Sequence, residues 1–177
     1  MYLISFSQYQ WRDIRANEKW SAEMTLIQAA AGNEKLEMLR HFFNNHHDKL
    51  LCTASADGQP NVAFMGTPRQ LYDGTIEFEI SDEASVTLRN IHQNRSVVFI
   101  AWETGERARD YCGARIHAQV TEIHDKGEKL ERIRQNILLK HGAQKADELR
   151  ATVSCVITRV RPIVDRGQPW DQPPFID

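Results

Sequence analysis

The hydroxyl residues that open one predicted helix could bind a phosphate group. Ala84, Leu88 and Ile91 share one face at helical spacing and predict a helix from Asp82 to Asn94. Ser81, Ser85 and Thr87 lie at its start. The first turn of a helix has backbone N–H groups without helical partners and the positive end of the helix dipole, which together suit a phosphate. Ser81 and Asp82 are also ordinary helix-capping residues, so the pattern alone fits a cap as well as an anion site.

A second group of candidate residues could bind a metal. His41, His46 and His47 lie close together near Asp48. Adjacent histidines point in different directions on a helix, and no cysteine or second histidine pair stands at ligand spacing. The sequence therefore favours a solvated helix end over a metal site.

Other catalytic patterns are weak. Glu77 and Glu79 share one face of a predicted strand, as a carboxylate pair would, but two solvent-facing acids on an alternating strand explain the spacing equally well. The chain has no GxGxxG, GxxxxGK[ST], GxSxG or HExxH motif, which argues against the familiar nucleotide-binding and hydrolase routes.

Composition limits the partners and the compartment. The net charge of −2 gives no general attraction to nucleic acid or to an anionic membrane, and no stretch approaches the length of a membrane span. The three cysteines are far apart and form no CxxC pair, which favours reduced thiols. The first residues have no basic region like that of a signal peptide. We therefore expect a cytoplasmic protein that binds neither nucleic acid nor membrane.

The elements that must position these residues form one domain with an extension. Residues 1–33 carry Trp11 and Trp20 and are expected to pack on the barrel or on a partner subunit, whereas residues 34–177 form the domain. Asn33 is a plausible N-cap for a helix that ends near Asn44-Asn45.

The strands are predicted from turns and alternation. Two Asp-Gly turns, at residues 57–58 and 73–74, predict antiparallel hairpins. Apolar residues at 114, 116, 118 and 120 alternate with polar ones, and residues 96–102 form a continuous apolar run typical of a strand buried on both sides. A further helix after Asp125 is expected to close with Gly142, and a last strand covers residues 151–160. In total, the sequence predicts about six strands and three or four helices.

Three segments of the chain resemble a known family. They are the Asp57-Gly58-Gln59-Pro60-Asn61-Val62 hairpin, the helix with Ser85-Val86-Thr87, Ile91 and Asn94, and the strand from Gly113 to Ile123. Together they resemble the pyridoxamine 5'-phosphate oxidase-like FMN-binding split barrel over about residues 36–160. The resemblance implies a mainly β (α+β) fold, a six-stranded antiparallel split β-barrel with flanking helices.

The resemblance also implies a cofactor site for FMN at a homodimer interface. Backbone groups of residues 63–67, among them Ala63, Met65, Gly66 and Thr67, would meet the flavin ring. Residues at the helix start would hold the phosphate: Ile80, Ser81, Ser85 and Thr87.

The family usually has a cation where this chain has Val86. Arg69 is the first candidate to replace that cation, and Arg89 and Arg115 are further ones. Trp102 and Trp170 are the aromatic residues that could complete the site, although core packing explains Trp102 better.

Two functions follow from the resemblance. The first is an FMN-dependent oxidoreductase, a flavoprotein that takes electrons from a donor such as NAD(P)H or another small molecule. The alternative is a non-catalytic protein that binds a flavin, a deazaflavin or haem on the same scaffold, with His117 or His92 as a possible haem ligand. No catalytic side chain can be named from the sequence.

Overall fold

The computed structural model describes residues 34–164, which form seven strands, four α-helices and one short 3-10 helix, Ala108–Asp110. The helices are α1 (Glu34–Asn45), α2 (Val86–Gln93), α3 (Glu128–His141) and α4 (Ala143–Glu148). The strands are β1 (Lys49–Ala54), β2 (Pro60–Met65), β3 (Arg69–Gln70), β4 (Ile76–Ile80), β5 (Ser96–Glu103), β6 (Cys112–His124) and β7 (Ala151–Pro162).

The seven strands form one antiparallel sheet in the order β2-β1-β5-β6-β7-β4-β3. It has the split-barrel fold with flanking helices, so the predicted architecture is confirmed. The described strand count is seven rather than six, because the two residues of β3 pair with β4 at one end of the sheet. The strands β2 and β3 lie at opposite ends of this order and each has one described neighbour.

Both Asp-Gly turns form as predicted. Gly58 and Gly74 have φ angles of 85° and 84°, a left-handed conformation in which glycine has no steric penalty. The Gly58 N–H donates to the Ser55 carbonyl at 3.1 Å, and the Gly74 N–H donates to the Leu71 carbonyl at 3.1 Å. Each turn therefore fixes the register of its hairpin.

The core lies between the inner face of the sheet and α1. Leu39 and Phe43 of α1 are fully buried, and the Phe43 ring packs edge-on against Phe99 of β5 with centroids 5.9 Å apart. The Phe78 ring of β4 also packs edge-on against Phe99, with centroids 5.6 Å apart. The predicted alternation in β6 is confirmed, since the four residues predicted to face the core, Ala114, Ile116, Ala118 and Val120, are all buried.

Three local predictions need correction. The helix predicted for residues 82–94 spans only Val86–Gln93, because Asp82 caps a separate turn by accepting a hydrogen bond from the Ala84 N–H at 2.9 Å. Ala84 is therefore exposed rather than part of the apolar face. In β5 only alternate residues are buried, so the strand is not covered on both sides by described residues.

Some predictions fall outside the described residues. They concern the extension 1–33, the Asn33 cap and Trp170, and they stay predictions. Within residues 34–164, no helix is both long and apolar enough to cross a bilayer.

Candidate functional site

The start of α2 has an anion-binding arrangement of backbone groups. Ser85 is the N-cap: its hydroxyl accepts a hydrogen bond from the Leu88 N–H at 3.2 Å, and its carbonyl accepts one from the Arg89 N–H at 3.2 Å. Among the described residues, the N–H groups of Val86 and Thr87 have no hydrogen-bond acceptor. The first turn contains no acidic residue. Two backbone donors and the helix dipole are therefore available to an anion.

The Thr87 hydroxyl faces the protein interior rather than the helix start. Thr87 is buried, and its Oγ1 accepts a hydrogen bond from Asn61 Nδ2 of β2 at 3.2 Å. The same amide lies 3.4 Å from Thr53 Oγ1, which also accepts a bond from Asn90 Nδ2 at 3.2 Å. This buried network joins α2 to the β1–β2 hairpin. Thr87 can reach a phosphate through its backbone N–H, whereas its side chain anchors the helix.

The network brings the start of α2 next to the strand that was predicted to meet the flavin. Ala63 and Met65 of β2 point inward and are half-buried, and Met65 packs against the core. Val62 and Phe64 point outward and are 58% and 77% exposed. Because β2 pairs only with β1 among the described strands, one edge of its backbone is available for hydrogen bonds to a ligand.

The residues after β2 lead toward β4. Gly66 is exposed, and a Cβ added there would meet only the His47 carbonyl oxygen at 3.9 Å, so packing does not require glycine. Thr67 is fixed to β4: its Oγ1 donates to the Glu79 carbonyl at 3.3 Å and accepts from the Glu79 N–H at 3.2 Å.

Arg69 lies on β3, directly opposite Glu77 of β4, and is exposed. No contact between Arg69 and α2 is seen among the described residues. Ile80 ends β4 with its side chain in the core, and its carbonyl accepts a hydrogen bond from the Arg150 N–H at 2.8 Å. Ser81 follows at the exposed surface. The structure thus joins Ser85 and Thr87 to β2, but places Arg69 and Ile80 apart from that contact.

Lys49 is a buried cation that sequence reasoning missed. It is 2% exposed, its Nζ donates to the His46 carbonyl, and the ammonium lies 5.0 Å from the centroid of the Phe43 ring. The pKa of Lys49 is lowered to about 8, chiefly by burial and also by repulsion from Arg69, while Asp48 acts in the opposite direction. The signal in the sequence was a lysine at an inward position of an alternating strand.

The outer face of the sheet was also missed. Directly paired residues lie on the same side of a sheet, so the register defines two rows across five strands. One row is Phe64, Leu50, Ile100, Arg115 and Arg161. The other is Val62, Cys52, Val98, His117 and Arg159. This outer face is apolar on β2, β1 and β5 and basic on β6 and β7.

The other sequence candidates have structural roles on the surface. Glu77 accepts a hydrogen bond from Ser154 Oγ at 3.3 Å and lies 4.0 Å from Lys129 Nζ. His46 Nδ1 lies 2.7 Å from the Phe42 carbonyl. Within the described part of the chain, no group of three or more His, Cys, Asp or Glu residues could hold a metal ion.

Solved structures with this architecture are distant in sequence. An FMN-binding protein from Syntrophomonas wolfei superposes with a TM-score of 0.62 at 19% identity, covering 84% of this chain and 94% of that protein. An F420 reductase superposes with a TM-score of 0.51 at 16% identity, covering 69% of this chain and 94% of that protein. A haem storage protein from Vibrio cholerae superposes with a TM-score of 0.50 at 14% identity, covering 71% of this chain and 92% of that protein. At these identities the likeness shows the fold.

A comparison with curated protein sequences finds no match. The family model for pyridoxamine 5'-phosphate oxidase, however, matches residues 36–162, which is most of the chain and includes β2, α2 and all the strands that build the sheet. The chain therefore belongs to the pyridoxamine 5'-phosphate oxidase family.

Proposed function

We propose that this protein is an FMN-dependent oxidoreductase that binds the flavin at a homodimer interface. The observation that carries the proposal is the start of α2, where two N–H groups are available beside the exposed edge of β2. One structural unit thus offers donors for a phosphate and a backbone edge for a ring. Family membership and the likeness to an FMN-binding protein support the same cofactor.

Each predicted residue has a role in this proposal. The N–H groups of Val86 and Thr87, with the hydroxyls of Ser85 and Ser81, hold the phosphate. The backbone of Ala63, Met65, Gly66 and Thr67 faces the ring, with Ile80 at the end of β4. Trp170 remains a predicted ring contact. When bound, the flavin supplies the electron-accepting chemistry, and the protein orients it and excludes water.

A phosphate at this helix start still needs a cation, because Val86 is 41% exposed and carries no charge. We assign that role to Arg69, whose exposed side chain lies on β3 without a described contact to α2 and would have to reach the phosphate from there. Replacing Arg69 with alanine should lower the affinity for FMN at least about tenfold, because a charge-assisted hydrogen bond to the phosphate is lost. An unchanged FMN affinity would discard the assignment.

The exposed apolar residues of β2 support the dimer. Val62 and Phe64 are more than half exposed, and together with the half-buried outward residues of β1 and β5 they form an apolar surface of the kind that another protein surface covers. We propose that a second copy covers it and that both copies border the flavin. Residues 34–177 would form the domain, with residues 1–33 as an extension.

The second candidate is a cofactor-binding protein without turnover, which holds a flavin, a deazaflavin or haem. The specific observation in its favour is Val86, which removes a cation from the helix start. The likeness to a haem storage protein and to an F420 reductase is consistent with it. His117, whose pKa is lowered to about 4 by burial and by three arginines, is neutral near pH 7, as a haem ligand must be.

The absorbance spectrum of the purified protein separates the two functions. A yellow preparation whose flavin band bleaches with NADH or NADPH supports the oxidoreductase. A flavin that stays oxidised with every donor supports the binding protein, and a Soret band supports haem. A colourless protein whose melting temperature does not rise with added FMN contradicts both, because specific binding must stabilise the folded state.

A further inference from the structure

One polar face of α2 lies along the β1–β2 hairpin. Thr87, Asn90 and Gln93 recur at intervals of three residues and therefore share that face. Thr87 Oγ1 accepts a hydrogen bond from Asn61 Nδ2 of β2 at 3.2 Å. Asn90 Nδ2 donates to Thr53 Oγ1 of β1 at 3.2 Å, and Gln93 Oε1 accepts a backbone N–H of the hairpin turn at 3.1 Å. The hairpin thus holds the helix at three points along its length.

The hydrogen bond from Asn61 to Thr87 is the contact nearest the start of α2. Thr87 is 5% exposed and Asn61 is half-buried. The residue that Asn61 binds is also one of the two whose N–H groups are available to an anion. A hydrogen bond weakens steeply when its length or angle changes, whereas apolar contacts tolerate sliding. This bond therefore fixes where the first turn of α2 lies relative to β2.

We propose that Asn61 is a positioning residue for the phosphate site, because through Thr87 it holds the N–H groups of the helix start at a fixed distance from β2. The inference rests on the proposed function, in which β2 meets the flavin ring and α2 holds the phosphate. A ligand that spans both elements gains its full affinity only when they are already held at the matching separation. Asn61 thus contributes to the selectivity for a phosphorylated flavin through Thr87 rather than by contact with the phosphate.

A purely structural role of this bond gives a different result. If the bond only stabilised the fold, its loss would lower the affinities for FMN and riboflavin by the same factor. If the bond positions α2, its loss lowers the affinity for FMN alone, because riboflavin has no phosphate to reach the helix. The ratio of the two affinities is therefore the quantity to measure.

Thr87→Val tests the proposal, because it removes the hydroxyl but keeps the shape of the side chain and the backbone N–H. Affinities for FMN and riboflavin are measured by fluorescence quenching at pH 7. We expect the ratio of FMN to riboflavin affinity to fall about fivefold, since bound FMN must restore a helix position that one hydrogen bond had supplied. Thr87→Ser keeps the hydroxyl and should recover most of this loss. A ratio in Thr87→Val equal to that of the unaltered protein would overturn the proposal.

A double-mutant cycle tests whether Asn61 and Thr87 act as a pair. Asn61→Leu removes the donor of the same bond and should lower the ratio by a similar factor. The double variant should fall no further than either single variant, because all three lack one and the same hydrogen bond. Independent, multiplying losses would show that the two residues do not act through their contact.

Two control variants separate position from general loosening. Gln93→Ala removes the contact at the far end of the same helix, about 9 Å along the axis from Thr87. Thr121→Val removes another threonine hydrogen bond, which Thr121 Oγ1 donates to the Ser154 carbonyl at 3.0 Å between β6 and β7. Both variants should leave the affinity ratio unchanged at any melting temperature. A fall in either control as large as that in Thr87→Val would contradict a specific role for Asn61.

The unaltered protein separates this inference from the function on which it rests. If it binds FMN and riboflavin equally, or binds neither, the proposed function fails and the positioning role fails with it. If it prefers FMN and Thr87→Val keeps that preference, only the positioning role fails.

Discussion

Replacing Lys49 with methionine should stabilise the protein at pH 7. The side chain is 2% exposed and its pKa falls from 10.5 to about 8 on folding, chiefly because burial disfavours the ammonium. At pH 7 the lysine is protonated in both the folded and the unfolded chain. The lowered pKa therefore means that the buried charge destabilises the folded state by about 3 kcal/mol. Loss of the hydrogen bond to the His46 carbonyl offsets about 1 kcal/mol of this stabilisation. We therefore expect the substitution to raise the free energy of unfolding by about 2 kcal/mol.

The stability gained by the methionine substitution should fall as the pH rises. Because the folded pKa lies below the unfolded one, the unfolded chain holds the proton more tightly between about pH 8 and pH 10.5. The stability of the unaltered protein therefore rises through that range as the folded lysine becomes neutral. The advantage of Lys49→Met should fall to within about 1 kcal/mol of zero at pH 10.

Urea unfolding at pH 7 and pH 10 measures both effects, with Lys126→Met as the matched control at an exposed position. The control should change the free energy of unfolding by less than about 0.5 kcal/mol at either pH. A Lys49→Met protein that is less stable at pH 7, or whose gain in stability does not change with pH, would show that burial of the Lys49 ammonium does not destabilise the folded state.

Three further substitutions test the packing, the proposed flavin site and the charge state of His117. Gly113→Ala should cost about 2 kcal/mol or more in urea unfolding, because the added Cβ would lie 2.2 Å from the Ala101 carbonyl oxygen; a cost below about 0.5 kcal/mol contradicts this. Gly66→Ala has room for its methyl group and should keep its stability, yet it should weaken FMN if the ring lies against that backbone. Equal FMN affinity would place the ring elsewhere. His117→Gln should flatten the pH dependence of stability between about pH 4 and pH 6.5, since the folded pKa is lowered and the unaltered protein loses stability as pH falls through that range. Unfolding curves of equal pH dependence would show that the pKa of His117 is not lowered.

Local patterns in the sequence predicted the elements of the fold well. The Asp-Gly turns required left-handed glycines at Gly58 and Gly74, and alternation in β6 identified its buried face. The helix start was misplaced by four residues because Asp82 and Ser85 are both capping residues, and only the three-dimensional contacts decide between them.

The candidate site was less predictable, because its contacts join distant segments. Thr87 looked like a phosphate ligand, but Asn61, from another hairpin, binds its hydroxyl. The outer face depends on the register between β6 and β7, which brings Arg115 opposite Arg161 across 46 positions of the chain. No sequence pattern gives that register.

The proposed function depends on the start of α2 holding the phosphate of FMN. The most direct measurement compares the affinities of FMN and riboflavin, which differ only in that phosphate, by fluorescence quenching at pH 7. We expect FMN to bind at least about 100-fold more tightly than riboflavin, since two backbone N–H groups and one arginine each contribute a charge-assisted hydrogen bond. Equal affinity for the two flavins, or binding of neither, would contradict it.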